Sequence, residues 1–323
     1  MFLGERKIPL IVQKCEALIR NLPANHWKIP EINNELSKHL SGYYGECSID
    51  YHLGKLDKEK YDIIPGLRLK NKDRYFQIDS FVLSNYFLLP IEIKYLTGDI
   101  EIDHTKGQLI QDKNGIIKVY DDPISQAQQQ RMQFIQWLKE QKCPTIPVDF
   151  LVAFSNNNCH IKRINGNSNH FWKICRGINL TEKIAIMEKM YQTEYMTAKE
   201  RKRLGKILLK QNEPLDIDIL KRFQIPTDEV LPGVQCQTCY SRPMVYTYGT
   251  WECSYCGEKS KTAHEQLIAD YFFIYNSTLT NKEFRKITNI QQRAKATRIL
   301  NSMNLPHQGS NKGRVYFPFP TDK

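Results

Sequence analysis

The stretch QIDSFVLSNYFLLPIEIKY, residues 77–95, constrains the fold more than any other. It reads as two apolar strands joined at Ser84-Asn85, yet it carries Asp79, Glu92 and Lys94 where a buried strand should have no charge. Side chains alternate across a strand, so Glu92 and Lys94 share one face while Ile91, Ile93 and Tyr95 take the other. If strand 75–84 pairs antiparallel with strand 86–95, Asp79 approaches the Glu92 side of the sheet. Two carboxylates beside one ammonium group would repel, and a divalent cation supplies the missing charge. Hard oxygen ligands and few protein groups suit Mg²⁺ or Mn²⁺, ions that keep waters and bind phosphate. The plainer alternative is a polar pair facing solvent on a half-exposed strand. Pro90, two residues before Glu92, predicts a strand that is bulged or unpaired on one side.

The segments around this stretch predict a mixed α/β domain. Residues 8–40 carry helical periodicity interrupted by Pro23 and Pro30, which suggests two short lead-in helices. Residues 41–60 read as a further helix with Gly42 and Gly45 at its entry, and 61–69 as the first strand. LTGDIEI, GQLIQD and IIKVYDD continue as shorter strands with Gly and Asn turns. A helix over 123–141 starts with Pro123 in its first turn, and TIPVDFLVAFSN supplies one more buried strand.

Gly45-Glu46, Gln77-Ile78-Asp79, Ile91-Glu92-Ile93-Lys94, Thr97-Gly98 and Asp122-Pro123-Ile124-Ser125-Gln126 follow one another in order over roughly residues 41–140. This set resembles the nuclease-related domain family, NERD, within the PD-(D/E)xK nuclease superfamily. The resemblance implies a restriction-endonuclease-like mixed sheet flanked by helices, with an αβββαβ core. It further implies that Asp79 and Glu92 bind metal, that Lys94 orients or activates the attacking water, that Glu46 assists and that Gln126 supports the site. Gln128 and Gln130 are alternatives to Gln126, and His104 reads as a surface loop residue. Ser80 departs from the family, whose members usually carry His after the first acid. The implied activity is metal-dependent hydrolysis of phosphodiester bonds in DNA; the alternative is a non-catalytic DNA- or RNA-binding or regulatory protein that keeps the nuclease fold as a scaffold.

The remainder of the chain predicts nucleic-acid binding. Cys236-Gln-Thr-Cys239 and Cys253-Ser-Tyr-Cys256 stand thirteen residues apart. Four thiolates on two such knuckles close tetrahedrally around a structural Zn²⁺, as in zinc ribbons. The intervening Arg242, Tyr246, Tyr248 and Trp251 either stack on bases or form the small domain's core. Residues 257–323 hold eleven Lys and Arg against five Asp and Glu, a net +6 out of +11 for the chain. Such an excess attracts polyanions. Arg293, Lys295 and Arg298 on one helix, with Lys312 and Arg314 on a hairpin, weakly resemble a winged-helix reader that meets DNA phosphates.

With 323 residues, more than one domain is expected. The predicted stretches are a helical lead-in (1–40), the nuclease-like domain (41–175), a helical connector (176–232), the zinc ribbon (233–258) and the basic winged-helix-like domain (259–323). No apolar run approaches the roughly 18–20 residues that span a bilayer. The early charges and nine cysteines, four of them in the metal-type spacing, suit a reducing cytoplasm without membrane contact.

Overall fold

A computed structural model describes residues 1–143, 145–165 and 171–319. In chain order the elements are α1 Leu10–Arg20, α2 Ile29–Leu53, β1 Asp62–Asn71, β2 Arg74–Leu83, β3 Leu88–Lys94, β4 Gly98–Asp103, β5 Gln108–Lys113 and β6 Ile116–Asp121. Then come α3 Pro123–Glu140, β7 Leu151–Phe154, β8 Cys159–Asn165, β9 Ile174–Arg176, α4 Leu180–Met190, α5 Ala198–Gln211 and α6 Ile219–Phe223. The last are β10 Val245–Thr247, β11 Thr250–Glu252, β12 Lys259–Ser260, α7 His264–Ile274, β13 Leu279–Thr280, α8 Asn281–Thr288, α9 Arg293–Ser302, β14 His307–Gln308 and β15 Val315–Tyr316. One expectation is corrected: the second lead-in helix and the helix of 41–60 are a single helix, α2. Pro30 lies in its first turn, where a missing N–H costs nothing, so it opens the helix rather than breaking it.

These elements form two compact units, each assembled from separate stretches of chain. The first comprises Met1–Pro9 and Lys38–Leu215. Its main sheet has the order β1-β2-β3-β7-β9, antiparallel through β3 and parallel from there on. Phe134, Trp137 and Leu138 of α3, with Leu204 and Leu208 of α5, pack on Leu67, Phe76, Ile78 and Phe81 of one face. Ile49 and Leu53 of α2, with Ile184 and Met187 of α4, cover Val82, Leu89, Ile91 and Ile93 on the other. A second sheet, β6-β5-β4-β8, sends Ile100, Ile102 and Leu109 against Ile124 and Ala127 at the start of α3. The architecture is mixed α/β with helices flanking the sheets.

The second unit comprises Leu10–Ser37 and Asp216–Lys323. Leu18, Leu22 and Ile32 join Ile219, Phe223 and Ile274 in one cluster. In another, Cys236, Met244, Trp251 and Cys253 of the cysteine hairpin share a core with Ile268, Phe284, Leu300 and Tyr316. The C-terminal part has three helices and a small sheet of order β13-β15-β14, a winged arrangement in which the β14–β15 hairpin is the wing. Among the described residues, no helix is long and apolar enough to cross a membrane.

Candidate active site and metal centre

The strand alternation of β3 decides which of its residues meet. Leu89, Ile91 and Ile93 enter the α2 side, so Glu92 and Lys94 emerge on the α3 side. β2 pairs with β3 as far as Ser80↔Ile91, and beyond that point the Asp79 carboxylate accepts the Ile93 N–H at 2.9 Å. The irregularity has a local cause. Ile64 and Leu67 on β1, and Ile78 and Phe81 on β2, enter one cluster although strict alternation would put the members of each pair on opposite faces. The slip is centred on Gly66, whose φ of 73° suits glycine, and on Asp79. Pro90 sits where the ladder to β7 is interrupted, between the Leu88↔Val148 bridge and the first regular pair, Ile91↔Leu151. Its missing N–H therefore leaves no acceptor orphaned in a regular ladder.

Asp79, Glu92, Lys94 and Gln126 line one cleft of about 340 Å³. Lys94 Nζ donates to Glu92 Oε1 at 2.7 Å and to Gln126 Oε1 at 2.6 Å. Gln130, one turn after Gln126 on α3, donates to Glu92 Oε2 at 2.5 Å. Of the three glutamines that could fill this position, the structure thus places Gln126 on the ammonium group and Gln130 on the carboxylate. Asp122 holds the start of α3: its side chain accepts from Ile124 N at 3.1 Å and Ser125 N at 3.0 Å, a helix N-cap. His104, expected to be a surface loop residue, is only half-exposed and bonds the same carboxylate through Nδ1 at 2.6 Å.

Glu46 stands apart from the cleft lining. It pairs with Arg6, a side chain only 5% exposed. Arg6 Nε and one terminal nitrogen also hold Asp50 at 2.6 and 2.8 Å, and that nitrogen reaches Asp79 O at 3.0 Å and Ser80 Oγ at 2.7 Å. Arg6 and Asp50 therefore belong to the site, although neither was a sequence candidate. The i, i+4 spacing of Glu46 and Asp50 was a visible signal for a shared partner; Arg6, forty positions upstream, gave none. Gly45 lets α2 come this close, because a Cβ there would lie 2.5 Å from Tyr95 Cβ and 2.9 Å from Ser155 Oγ.

The electrostatics follow from crowding. Burial first, then the neighbouring Glu92 and Glu46, push the Asp79 carboxyl well above the usual carboxylate range. Burial pushes Glu46 up to about 7 against the opposing pull of Arg6. The Oε1 of Gln130 is buried with no hydrogen-bond partner among the described residues, which leaves an oxygen acceptor beside Glu92. A hydrated hard cation such as Mg²⁺ fits this set: oxygen donors, excess negative charge and an unpaired acceptor. Among the described residues, Glu46, Asp79 and Glu92 do not all gather within 4.8 Å of one another.

The four cysteines do converge. All four sulfurs lie within 4.8 Å of one another, with Cys236–Cys256 at 3.7 Å and Cys239–Cys253 at 3.5 Å. Sulfurs at the corners of a zinc tetrahedron with bonds of ~2.3 Å would stand about 3.8 Å apart, so the set can hold a metal such as zinc. The Ser241 hydroxyl lies 3.0 Å from Cys239 Sγ and 3.1 Å from Cys253 Sγ, and with backbone N–H groups it holds the Cys253 thiol down to about 6.

Trp251 is fully buried, Tyr246 packs on it at 5.0 Å between ring centroids, and Arg242 binds backbone oxygens of Arg20 and Gly233. Of the four proposed stacking residues only Tyr248 is exposed, because Trp251 and Tyr246 pack into the core and Arg242 is tied to backbone oxygens. Arg293, Arg298 and Lys312 are exposed, while Lys295 is half-buried with Nζ 5.9 Å from the Tyr246 ring. Arg314 donates to Asn301 Oδ1 at 3.0 Å, tying the wing to α9.

Two neighbouring inner strands carrying acid, acid and lysine over one cleft, with a glutamine-bearing helix above them, form the arrangement of a nuclease-like fold. Residues 41–155 match the family model of the nuclease-related domain, NERD. Neither the curated proteins nor the solved structures provide a match to this chain.

Proposed function

We propose that the protein is a metal-dependent nuclease that hydrolyses phosphodiester bonds of DNA in the cytoplasm. The observation that carries this reading is the convergence of Asp79, Glu92, Lys94 and Gln126 on one cleft. Asp79 and Glu92 would hold Mg²⁺ or Mn²⁺. When bound, such an ion activates water at neutral pH and offsets the charge that develops on phosphate. Lys94, steadied from two sides by Glu92 and Gln126, offers a positive donor to the attacking water or the phosphate oxygen. Gln130 fixes the Glu92 carboxylate, and the Arg6 cluster fixes the strand that carries Asp79. Zn²⁺ on Cys236, Cys239, Cys253 and Cys256 stabilises the hairpin beside the winged part, whose Arg293, Lys295, Arg298, Lys312 and Arg314 bind DNA phosphates.

A second reading is favoured by one observation: both oxygens of Glu92 are already bonded, to Lys94 and Gln130. A carboxylate so occupied suits a fold kept as a nucleic-acid-binding scaffold. Incubating the protein with plasmid and linear DNA in Mg²⁺ or Mn²⁺ separates the two. Cleavage that falls by about 100-fold or more in Asp79→Ala and Lys94→Ala supports the hydrolase. Binding without cleavage in parent and variants alike supports the scaffold.

A further inference from the structure

Beside the cleft of Asp79 and Glu92 lies a second one of about 560 Å³, and the two share Lys94 and Gln126. Its walls include Lys106, Val119, Tyr120 and, with opposite charge, Asp121. Val119 and Tyr120 belong to β6, the edge of its sheet, with β5 on one side and, among the described residues, no strand on the other. All six β6 residues are exposed, among them Ile116 at 64%, Ile117 at 66%, Val119 at 60% and Tyr120 at 39%. A long apolar edge in water invites unwanted pairing and is normally blunted by charge, proline or a covering element. Here Lys113 and Lys118 flank the isoleucines without covering them. Such a patch next to a reaction site marks a binding surface.

We propose that this second cleft is a subsite for an unpaired nucleotide next to the bond that is cut, so that the substrate is a single strand or a frayed end. The inference rests on the nuclease reading above. Tyr120 covers the base, and Lys94 and Lys106 face the adjoining phosphates. The tyrosine is already held in position, since its hydroxyl donates to Gln111 Oε1 at 3.1 Å and so fixes the ring on the wall. Base faces are open to such a wall only in unpaired strands, where stacking on an aromatic ring is tolerant of sequence. A duplex would present sugar and phosphate instead, which gain little from the face of a tyrosine ring.

The test uses the full zinc-loaded chain with Ca²⁺ in place of Mg²⁺, so that binding is read apart from cleavage. Labelled oligothymidylate of about six nucleotides, in deoxy and ribo forms, is compared by fluorescence anisotropy with a blunt hairpin duplex of about twelve base pairs. Tyr120→Ala is expected to weaken oligothymidylate binding by about 5- to 150-fold while Tyr120→Phe and duplex binding stay near the parent. The weaker of the two sugar forms then identifies which strand the subsite rejects. Parent-like binding by Tyr120→Ala overturns the subsite. So does a parent dimer that Val119→Lys converts to monomer in sedimentation, since a second copy would then cover the edge. In Mg²⁺ or Mn²⁺, single-strand cleavage that is equal in parent and Tyr120→Ala removes the subsite and leaves the nuclease standing. Tyr120-dependent binding with no cleavage keeps the groove and removes the hydrolase.

Discussion

Removing the Arg6 guanidinium would leave Glu46, Asp50 and Ser80 without the donor they share. Losing one partner of a buried pair costs more than the pair contributes, and these acids are partly exposed, so Arg6→Ala is expected to destabilise the first unit by ~2–3 kcal/mol. Urea denaturation checks this, and an unchanged midpoint would exclude a structural role for Arg6. Glu46 allows a pH prediction. Its pKa is raised from 4.5 to about 7, so the stability it contributes is fully present below pH 4.5 and is lost as pH rises through 7. Glu46→Gln, which imitates the neutral form, is expected to melt higher than the parent at pH 8 and close to it at pH 4; equal melting at both would reject the shift. At this scale Asp79, Glu92 and Lys94 were legible as an anomaly, charges in apolar strands. Arg6 was not, since an arginine in an N-terminal arm has no local pattern that announces its partners.

Helix α3 carries Gln126 and Gln130, the two glutamines bonded to Lys94 and Glu92, and its position rests on one cap. Asp122→Ala removes an acceptor from two backbone N–H groups and from His104, at a cost of about 1–2 kcal/mol. Because Gln126 and Gln130 move with the helix, cleavage is expected to fall by more than the stability loss explains, while Asp122→Asn keeps most of both. Circular-dichroism melts beside a plasmid-nicking assay measure the two; full activity in the alanine variant would free α3 from this role. The element was readable because Pro123 and the Asp before it are strong start signals. The single helix α2 was not, because Pro30 and Gly45 look like breaks in a linear reading. One is harmless in a first turn, and the other is a point of close approach, where Gly45→Ala would press on Tyr95.

At the scale of the molecule, the cysteine hairpin is not a free appendage. Trp251 and Cys253 lie in the same buried cluster as Phe284 and Leu300 of the winged part. Chelating the proposed zinc, or Cys253→Ser, is therefore expected to red-shift tryptophan emission and melt the winged helices in one transition, with loss of the proposed DNA binding. Two separate transitions would show that the hairpin and the helices fold apart. The sequence by itself determined the cysteine knuckles, the acid-acid-lysine order and the basic C-terminal charge, because spacing and composition are properties of the chain alone. Only the tertiary structure decided that each compact unit draws on separate stretches, that Trp251 enters the core while Arg242 ties backbone oxygens, that Gln130 lines the cleft, and that Arg6 braces the strand carrying Asp79. Those outcomes depend on which faces are buried together, and burial is a property of packing that no local pattern encodes.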